Sequence, residues 1–333
     1  MIEWGGAPRH NSNLSSRGPA AGKQIYMATI SEFFDEHRNG VRIRKGEGRS
    51  IAQYGELFQG QMEYEGGRLR RCLVSLPCSA LYSHARFHPD GAGALRVSPP
   101  HKKKALRVME LTLARLGASD YSGTLFIEST VPEAKGCGSS TADCVAAARA
   151  CADALNRTLT EEEVARLAVQ AEVASDNFMF HRAVLFAHRE GEVLEDYAER
   201  QPRLEVLGID TRPDGVVETL KYPPAEYSWR QRQSFCMLTA ALRRAMKKHD
   251  VGLLGRVATA SACINQEFLP KPMFREINAI VEDIGALGLS VAHSGTVLGI
   301  LLDPVDRLLE KKVDQARARL NALGISQILR FQT

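Results

Sequence analysis

The sequence predicts an α+β fold, because helix-like and strand-like segments mix without a regular βαβ repeat. Apolar residues make up 44% of the 333 residues and charged residues 25%, which is typical of a globular protein with a buried core. A chain of this length is sufficient for two domains or for one large unit with two lobes.

The first half of the chain contains six predicted elements. Leu106, Met109 and Leu113 recur at helical spacing. Thr160 and Glu163 form a capping box that opens a later helix. The predicted elements are strands over 72–76, 80–87 and 125–129, and helices over 104–116, 140–155 and 160–174. We expect Pro77-Cys78-Ser79 to interrupt the extended backbone and so separate the first two strands.

The second half continues in the same mixed order. We expect Gly288 to cap a helix at its C-terminus, and Pro304 to open the final amphipathic helix. The predicted elements are strands over 184–187, 204–210, 289–292, 297–302 and 327–331, and helices over 229–248, 253–265 and 273–287.

Charge and composition exclude several classes of partner. The net charge is +4, with 43 basic and 39 acidic residues scattered along the chain, so we expect no nucleic acid partner. No apolar run reaches 18 residues, no secretory segment is present, and the seven cysteines show no C-x-x-C spacing. We therefore expect no membrane span and a reducing, cytoplasmic location. Lys102-Lys103-Lys104, the only compact basic run, is interpreted as a solvated helix start, with attraction of an anion as the alternative.

The segment from Val131 to Ala142 carries the strongest functional pattern. A strand, a Gly/Ser loop and a helix follow one another, which directs backbone N–H groups and the helix dipole at a phosphate. Gly136 and Gly138 permit close backbone approach. The hydroxyls that can bind phosphate or Mg²⁺ belong to Ser139, Ser140 and Thr141. The loop lacks the Lys of G-x-x-x-x-G-K-[ST] and the third glycine of G-x-G-x-x-G. An ordinary loop with Ser at a helix N-cap is the alternative interpretation.

This segment resembles the second motif of the GHMP kinases, P-x-x-x-G-[LM]-[GS]-S-S-[AG]. The matching positions are Pro132, Gly136, Gly138, Ser139 and Ser140, while Cys137 and Thr141 depart from the usual residue types. Tyr54–Gly60 resembles the first motif of these kinases, and Ala292–Gly299 resembles the third. The spellings of both, and the segment Asn265–Pro272, are most similar to the L-threonine kinases of cobalamin side-chain assembly. The resemblance covers residues 48–333.

The resemblance implies a GHMP kinase-like two-lobed fold, with an N-terminal α/β lobe that carries the phosphate loop and a C-terminal α+β sandwich lobe. We divide the chain into a disordered tail over 1–27, an N-terminal ATP-binding domain over 28–190 and a C-terminal domain over 191–333. Met27 is an alternative start. The implied cofactors are ATP and Mg²⁺. The implied nucleotide-binding residues are Pro132, Lys135, Gly136, Cys137, Gly138, Ser139, Ser140 and Thr141.

The resemblance also implies an acidic pair after the loop. Ser140 and Glu172 would hold the metal, with Ser139 as the alternative to Ser140, and Asp176 would act as the catalytic base. Glu172 and Asp176 share one face if the helix continues through them, and a solvated helix end is the alternative. The threonine kinases carry Glu-Pro-x-Asp here, whereas this sequence has one more residue and no proline. Lys135 would screen the triphosphate and assist catalysis, or else is a solvated loop lysine.

The first and third motifs would bind the acceptor. The predicted substrate-binding residues are Gly55, Glu56, Gln59, His293, Ser294, Gly295 and Thr296, and Asn265, Gln266 and Lys271 would line the same side. A structural ion pair at Glu56 and a core histidine at position 293 are the alternatives.

We therefore expect an ATP- and Mg²⁺-dependent kinase that phosphorylates the hydroxyl of a small amino acid or amino alcohol, with L-threonine as the best single acceptor. The alternatives are a GHMP kinase for homoserine, serine or a related acceptor, a decarboxylase-type relative, and a noncatalytic GHMP-fold binding protein. Whether the chain forms a homodimer stays open.

Overall fold

A long antiparallel hairpin organises the fold. Its strands are β3 (Gly46–Tyr64) and β4 (Arg68–Asp90), which pair over nearly their whole lengths with register shifts between Ile51 and Phe58. The computed structural model describes residues 36–38, 41–91, 93–197, 200–215 and 225–333. The predicted tail over 1–27 and the alternative start at Met27 lie outside these residues.

The hairpin lies at the centre of a ten-stranded sheet, and the strand order along its main path is β12-β9-β11-β10-β3-β4-β6-β5. The other strands of this path are β5 (Leu95–Ser98), β6 (Ser122–Ser129), β9 (Glu205–Asp210), β10 (Gly288–Val291), β11 (Val297–Leu302) and β12 (Ile328–Gln332). β7 (Val184–Ala187) pairs with β4 and with β8 (Glu192–Asp196), while β1 (Glu36–Arg38) and β2 (Val41–Ile43) form a separate ladder. Only β5 and β6 run parallel among the described strands, which confirms the α+β class.

Seven α-helices cover the sheet in the described part of the chain. They are α1 (Lys103–Arg115), α2 (Ser139–Ala154), α3 (Glu161–Glu172), α4 (Trp229–Lys248), α5 (Val251–Asn265), α6 (Phe274–Asp283) and α7 (Leu309–Ala322). None of these helices is long and apolar enough to cross a membrane. The predicted capping box at Thr160 is present, with bonds in both directions between Thr160 and Glu163.

Small residues allow β3 to contact two layers of helices. A Cβ atom at Gly46 would lie 2.3 Å from the carbonyl oxygen of Ala150, and one at Gly48 would lie 2.2 Å from that of Ala146, so α2 rests directly on the strand. Further along β3, a Cβ atom at Gly60 would lie 2.6 Å from the ring of Phe235 in α4. The Ala-rich helix is therefore buried because its short side chains permit this close approach.

Three boundaries differ from the sequence prediction. Pro77-Cys78-Ser79 does not separate two strands, because these residues lie within the continuous strand β4 and cause only a register shift against β3. α6 ends at Asp283 and Gly285 adopts a φ of +62°, so Gly288 opens β10 instead of capping a helix. α7 begins at Leu309, five positions after Pro304, because turns occupy the intervening residues.

The division at residues 190 and 191 stays a prediction. Residues 36–333 form one compact unit, and β10 of the C-terminal part pairs with β3 at Val291 and Glu56. The sheet therefore joins the two predicted domains at the first motif.

Candidate active site

The Gly/Ser loop has the backbone geometry of an anion cradle. Gly136 and Gly138 adopt φ values of +88° and +72°, the left-handed region that glycine tolerates best. Gly138 is the N-cap of α2 and supplies no side chain to cap it. The first N–H groups of α2 thus remain available to a ligand at the positive end of the helix dipole.

The third motif packs directly onto this loop. The backbone N–H of Thr296 donates to the carbonyl of Lys135 at 3.0 Å. A Cβ atom at Gly136 would lie 2.1 Å from the carbonyl oxygen of Ser294, and one at Gly295, where φ is +117°, would lie 2.2 Å from that of Lys135. Both glycine positions therefore exclude a larger residue, and the structure brings the second and third motifs together.

Thr141 connects the loop to the acidic pair. Its hydroxyl donates to Oε1 of Glu172 at 2.7 Å and accepts the backbone N–H of Asp176 at 3.4 Å. The helix does not continue through both acids: α3 ends at Glu172, and Val173 takes a φ of +72°. The two carboxylates converge through this turn and Thr141, and not through the helical i, i+4 spacing that the sequence suggested.

Asp176 lies over the phosphate loop. A Cβ atom at Gly138 would be 2.7 Å from Oδ2 of Asp176 and 2.7 Å from the ring of Phe178. Desolvation, followed by the charge of Glu172, raises the pKa of Asp176 to about 7. Burial likewise raises the pKa of Glu172, while hydrogen bonds and the ammonium of Lys104 at 3.8 Å oppose that shift. A carboxylate with a pKa near neutrality is well suited to proton transfer.

Ser140 and Glu172 provide donors that fit a magnesium ion. Oγ of Ser140 is buried and has no hydrogen-bond partner among the described residues. A cleft of about 240 Å³ beside it is lined by Ser139, Ser140, Asp143 and the N-terminus of α1. No group of three or more His, Cys, Asp or Glu within the described residues could hold a metal alone. Magnesium would thus depend on phosphate oxygens for further ligands, as this ion commonly does.

The first motif supplies a buried and unsatisfied carboxylate. Both oxygens of Glu56 are buried without a hydrogen-bond partner in the described part of the chain, as are Oε1 of Gln53 and Oγ of Ser75. Burial, followed by the charge of Asp176, raises the pKa of Glu56 well above its usual range. The strand can present this side chain because Gly55 takes a φ of +86° within the register shift of β3.

Lys271 and His293 lie on the same side of the site. Lys271 is buried, with 7% of its surface exposed, and its ammonium donates to the carbonyl of Gly295 at 2.9 Å. Burial lowers the pKa of Lys271 to about 8, although Glu56 opposes this shift. Nδ1 of His293 lies 2.8 Å from Oε1 of Gln59, and burial lowers the pKa of His293 to about 4. His293 is therefore neutral at pH 7 and donates from Nδ1.

Several residues support the site from behind. Asn265 donates to the carbonyl of Gln59 at 3.1 Å and accepts from the hydroxyl of Tyr227 at 2.6 Å. Oε1 of Gln266 accepts the backbone N–H of Lys271 at 2.7 Å. These contacts position Gln59 and Lys271, so the segment after α5 supports the acceptor side.

Some predicted residues direct their side chains elsewhere. The ammonium of Lys135 pairs with Asp210 at 3.0 Å and donates to the carbonyls of Arg212, Pro213 and Gly215. Thr296 donates its hydroxyl to Asp210. The side chain of Cys137 is buried in the core, so this residue could contact a ligand only through its backbone. Pro132 is exposed. Lys102 bonds to Asp143 at 2.7 Å and to Glu133, which agrees with a structural role at the start of α1.

Sequence reasoning missed Gln53 and His188. Gln53 donates its backbone N–H to the carbonyl of Cys137 at 3.2 Å, and its side chain lies beside Gly138. The buried ring of His188 lies 5.1 Å from that of His293. Neither residue stands in a recognisable motif, although Gln53 precedes the first motif directly.

Comparisons with known proteins show which kinases the chain is similar to. Residues 103–181 match the GHMP kinases N terminal domain. An L-threonine kinase of Citrobacter freundii is 38% identical over 185 residues, which are 53% of this chain and 61% of that protein. An L-threonine kinase of Salmonella typhimurium is 32% identical over 188 residues, covering 53% and 59% of the two chains. The chain thus spans about three fifths of the length of these curated relatives.

Solved structures show the same fold. Homoserine kinase from Cytophaga hutchinsonii superposes with a TM-score of 0.65 at 14% identity, covering 90% of this chain and 96% of that one. L. major mevalonate kinase in complex with R-mevalonate superposes with a TM-score of 0.60 at 18% identity, covering 87% and 94%. The matched domain and the relatives agree that the chain is similar to the GHMP kinases, and the structure has the GHMP kinase fold.

Proposed function

We propose that this protein is a kinase that transfers the γ-phosphoryl group of ATP to the hydroxyl of a small amino acid, with L-threonine as the best acceptor. The observation that carries the proposal is the carboxylate of Asp176 directly over Gly138 of the phosphate loop. A base beside a phosphate cradle is what phosphoryl transfer to an alcohol requires.

The charges on the acceptor side support an amino acid. Glu56 provides two buried oxygens without a partner, which an ammonium group would satisfy. Lys271 provides a buried ammonium whose one hydrogen bond in the described structure is to the Gly295 carbonyl, which leaves two donors for a carboxylate. No salt bridge joins these two residues in the described part of the chain, so each can pair with one charged end of a zwitterion. The similarity of this chain to two L-threonine kinases supports threonine as the acceptor.

The chain's residues have separable roles in this reaction. The carboxylate of Asp176 accepts the proton of the acceptor hydroxyl as its oxygen bonds to phosphorus, and ADP leaves with the electrons of the broken P–O bond. The N–H groups of α2 hold the phosphates, and Thr141 fixes Glu172 relative to Asp176. Ser140 and Glu172 would hold Mg²⁺, which supplies neutralisation of phosphate charge.

The cysteines support a proposal for the cellular compartment of the enzyme. All seven cysteines are free thiols, which supports a reducing compartment such as the cytoplasm. We propose a small-molecule substrate and no nucleic acid or membrane partner.

The test is ATP consumption with Mg²⁺ across L-threonine, D-threonine, L-serine, L-homoserine and simple amino alcohols, with phosphorus NMR to identify the product. We expect O-phospho-L-threonine as the dominant product. Preference for an amino alcohol over the amino acids would contradict the role of Lys271. Binding of Mg·ATP without turnover of any acceptor would instead favour the noncatalytic alternative.

A further inference from the structure

A second large pocket lies outside the proposed active site. Its volume is about 740 Å³, which is sufficient for a metabolite of ordinary size. It is formed by the first half of β3, the middle of β4, the segment after Asp176 and the segment before β9. No residue that we assign to phosphate, metal or acceptor binding is among the described residues that line it.

The pocket has a strongly basic lining. Five arginines and one histidine contribute to it, and these are Arg49, Arg149, His181, Arg182, Arg200 and Arg203. The net charge of the whole protein is only +4, so this concentration is local. A cleft lined by charges of one sign concentrates the opposite charge from solution.

Acidic residues offset only part of this charge. Arg182 pairs with Glu161, with Glu162 at 2.6 Å and with Asp196 at 2.7 Å, and His181 pairs with Glu161. No ion pair within the described residues neutralises Arg49, Arg200 or Arg203. Three guanidinium groups at one pocket therefore lack a carboxylate partner in the described structure.

Arg149 adds a cation that the fold itself fixes in place. Its guanidinium donates to the carbonyl of Arg49 at 2.7 Å and to that of Met179 at 3.3 Å, and neither partner is charged. Burial lowers the pKa of Arg149, so its charge is held at a cost. An anion bound in the pocket would offset both the cost of desolvating Arg149 and the repulsion among the neighbouring arginines.

The remaining walls indicate the nature of the anion. Tyr82 is 47% exposed, and Phe178 and Phe180, which are mostly buried, also contribute to the lining of the pocket. Aromatic surface accommodates an organic group, while planar guanidinium groups match phosphate oxygens in bidentate geometry. We infer that this pocket binds an organic phosphate, at a site separate from the ATP-binding loop. Phe178 is the shared wall, because its ring also lies against Gly138 of that loop.

The probe for the test is radiolabelled pyrophosphate, measured by equilibrium dialysis at constant ionic strength. Mg²⁺ and saturating adenylyl methylenediphosphonate are included to occupy the ATP site. We expect the wild-type chain to bind one equivalent of pyrophosphate under these conditions. The triple variant Arg49→Gln, Arg200→Gln, Arg203→Gln should bind it at least about tenfold more weakly. The control Arg317→Gln removes an exposed arginine of α7 and should bind as the wild type does.

Three results would overturn the inference. They are complete displacement of pyrophosphate by the ATP analogue, equal affinity in the triple variant, and tighter binding of citrate than of pyrophosphate, which would exclude phosphate as the preferred class. The single variant Arg203→Gln is measured alongside, with circular dichroism to verify folding, so that a failure of the triple variant to fold does not decide the matter.

Discussion

Glu56→Gln distinguishes a ligand-binding carboxylate from a structural one, because only the structural role predicts a large loss of stability. Both oxygens of Glu56 are buried without a partner, and burial raises its pKa well above the usual range. The charged form is thus costly in the folded protein. Removing it should leave the free energy of unfolding unchanged within about 1 kcal/mol, or increase it, since the new amide can donate to the unpartnered Oε1 of Gln53.

The same change should weaken acceptor binding. A charge-assisted hydrogen bond contributes roughly 1.5–3 kcal/mol, so the KM for the amino acid should rise roughly 10- to 150-fold. The KM for Mg·ATP should stay near the wild-type value, because the phosphate loop is untouched.

The assays are urea denaturation at pH 7 and initial-rate kinetics with each substrate varied. A structural ion pair broken at this position would cost about 3–5 kcal/mol of stability. Loss of that size with an unchanged KM for the acceptor would refute the reasoning. The control is Glu63→Gln, an exposed position on the same strand, which should alter neither measurement.

Three further predictions concern the same site. Asp176→Asn should lower kcat by about 10²- to 10⁴-fold with little change in Mg·ATP affinity by calorimetry, and near-normal turnover would exclude Asp176 as the base. Ser140→Ala should raise the Mg·ATP requirement by about tenfold or more, whereas Ser139→Ala should have a smaller effect; the reverse order would assign the metal to Ser139. Lys271 has its pKa lowered to about 8, so it loses its proton above that pH and kcat/KM for the acceptor should fall there. Lys271→Met should abolish this alkaline limb, and its persistence would show that another group titrates.

Periodicity predicted the elements in which an apolar face packs into the core. The helix α1 and the strand β11 follow their apolar patterns closely. The strand β3 escaped prediction, because glycines and the polar residues Gln53, Glu56 and Gln59 interrupt its apolar alternation. Those residues line the proposed site, so the segment that we propose to bind the ligand departs most from the local pattern of a strand.

The motifs predicted which residues meet, but not how they meet. Glu172 and Asp176 converge through a left-handed Val173 and the hydroxyl of Thr141, and a helical spacing rule cannot anticipate a β-branched residue at positive φ. The partners of Lys135 lie at positions 210–215, so no local pattern reveals them. His188 likewise reaches the site only because β7 pairs with β4.

The long-range contacts of β3 also determine when the site is assembled during folding. Gln59 and its partner His293 are separated by 234 positions, and Glu56 pairs with Val291 across β10. During synthesis the first motif is made early, but its charged groups become buried only after the third motif, near the end of the chain, has been made. Contacts of such long range are slow to form, because a long loop must be closed first. A shortened chain that ends before β10 would therefore lack both the acceptor side of the site and the third-motif contacts that hold the phosphate loop, so a ligand that needs both would bind only the full-length chain.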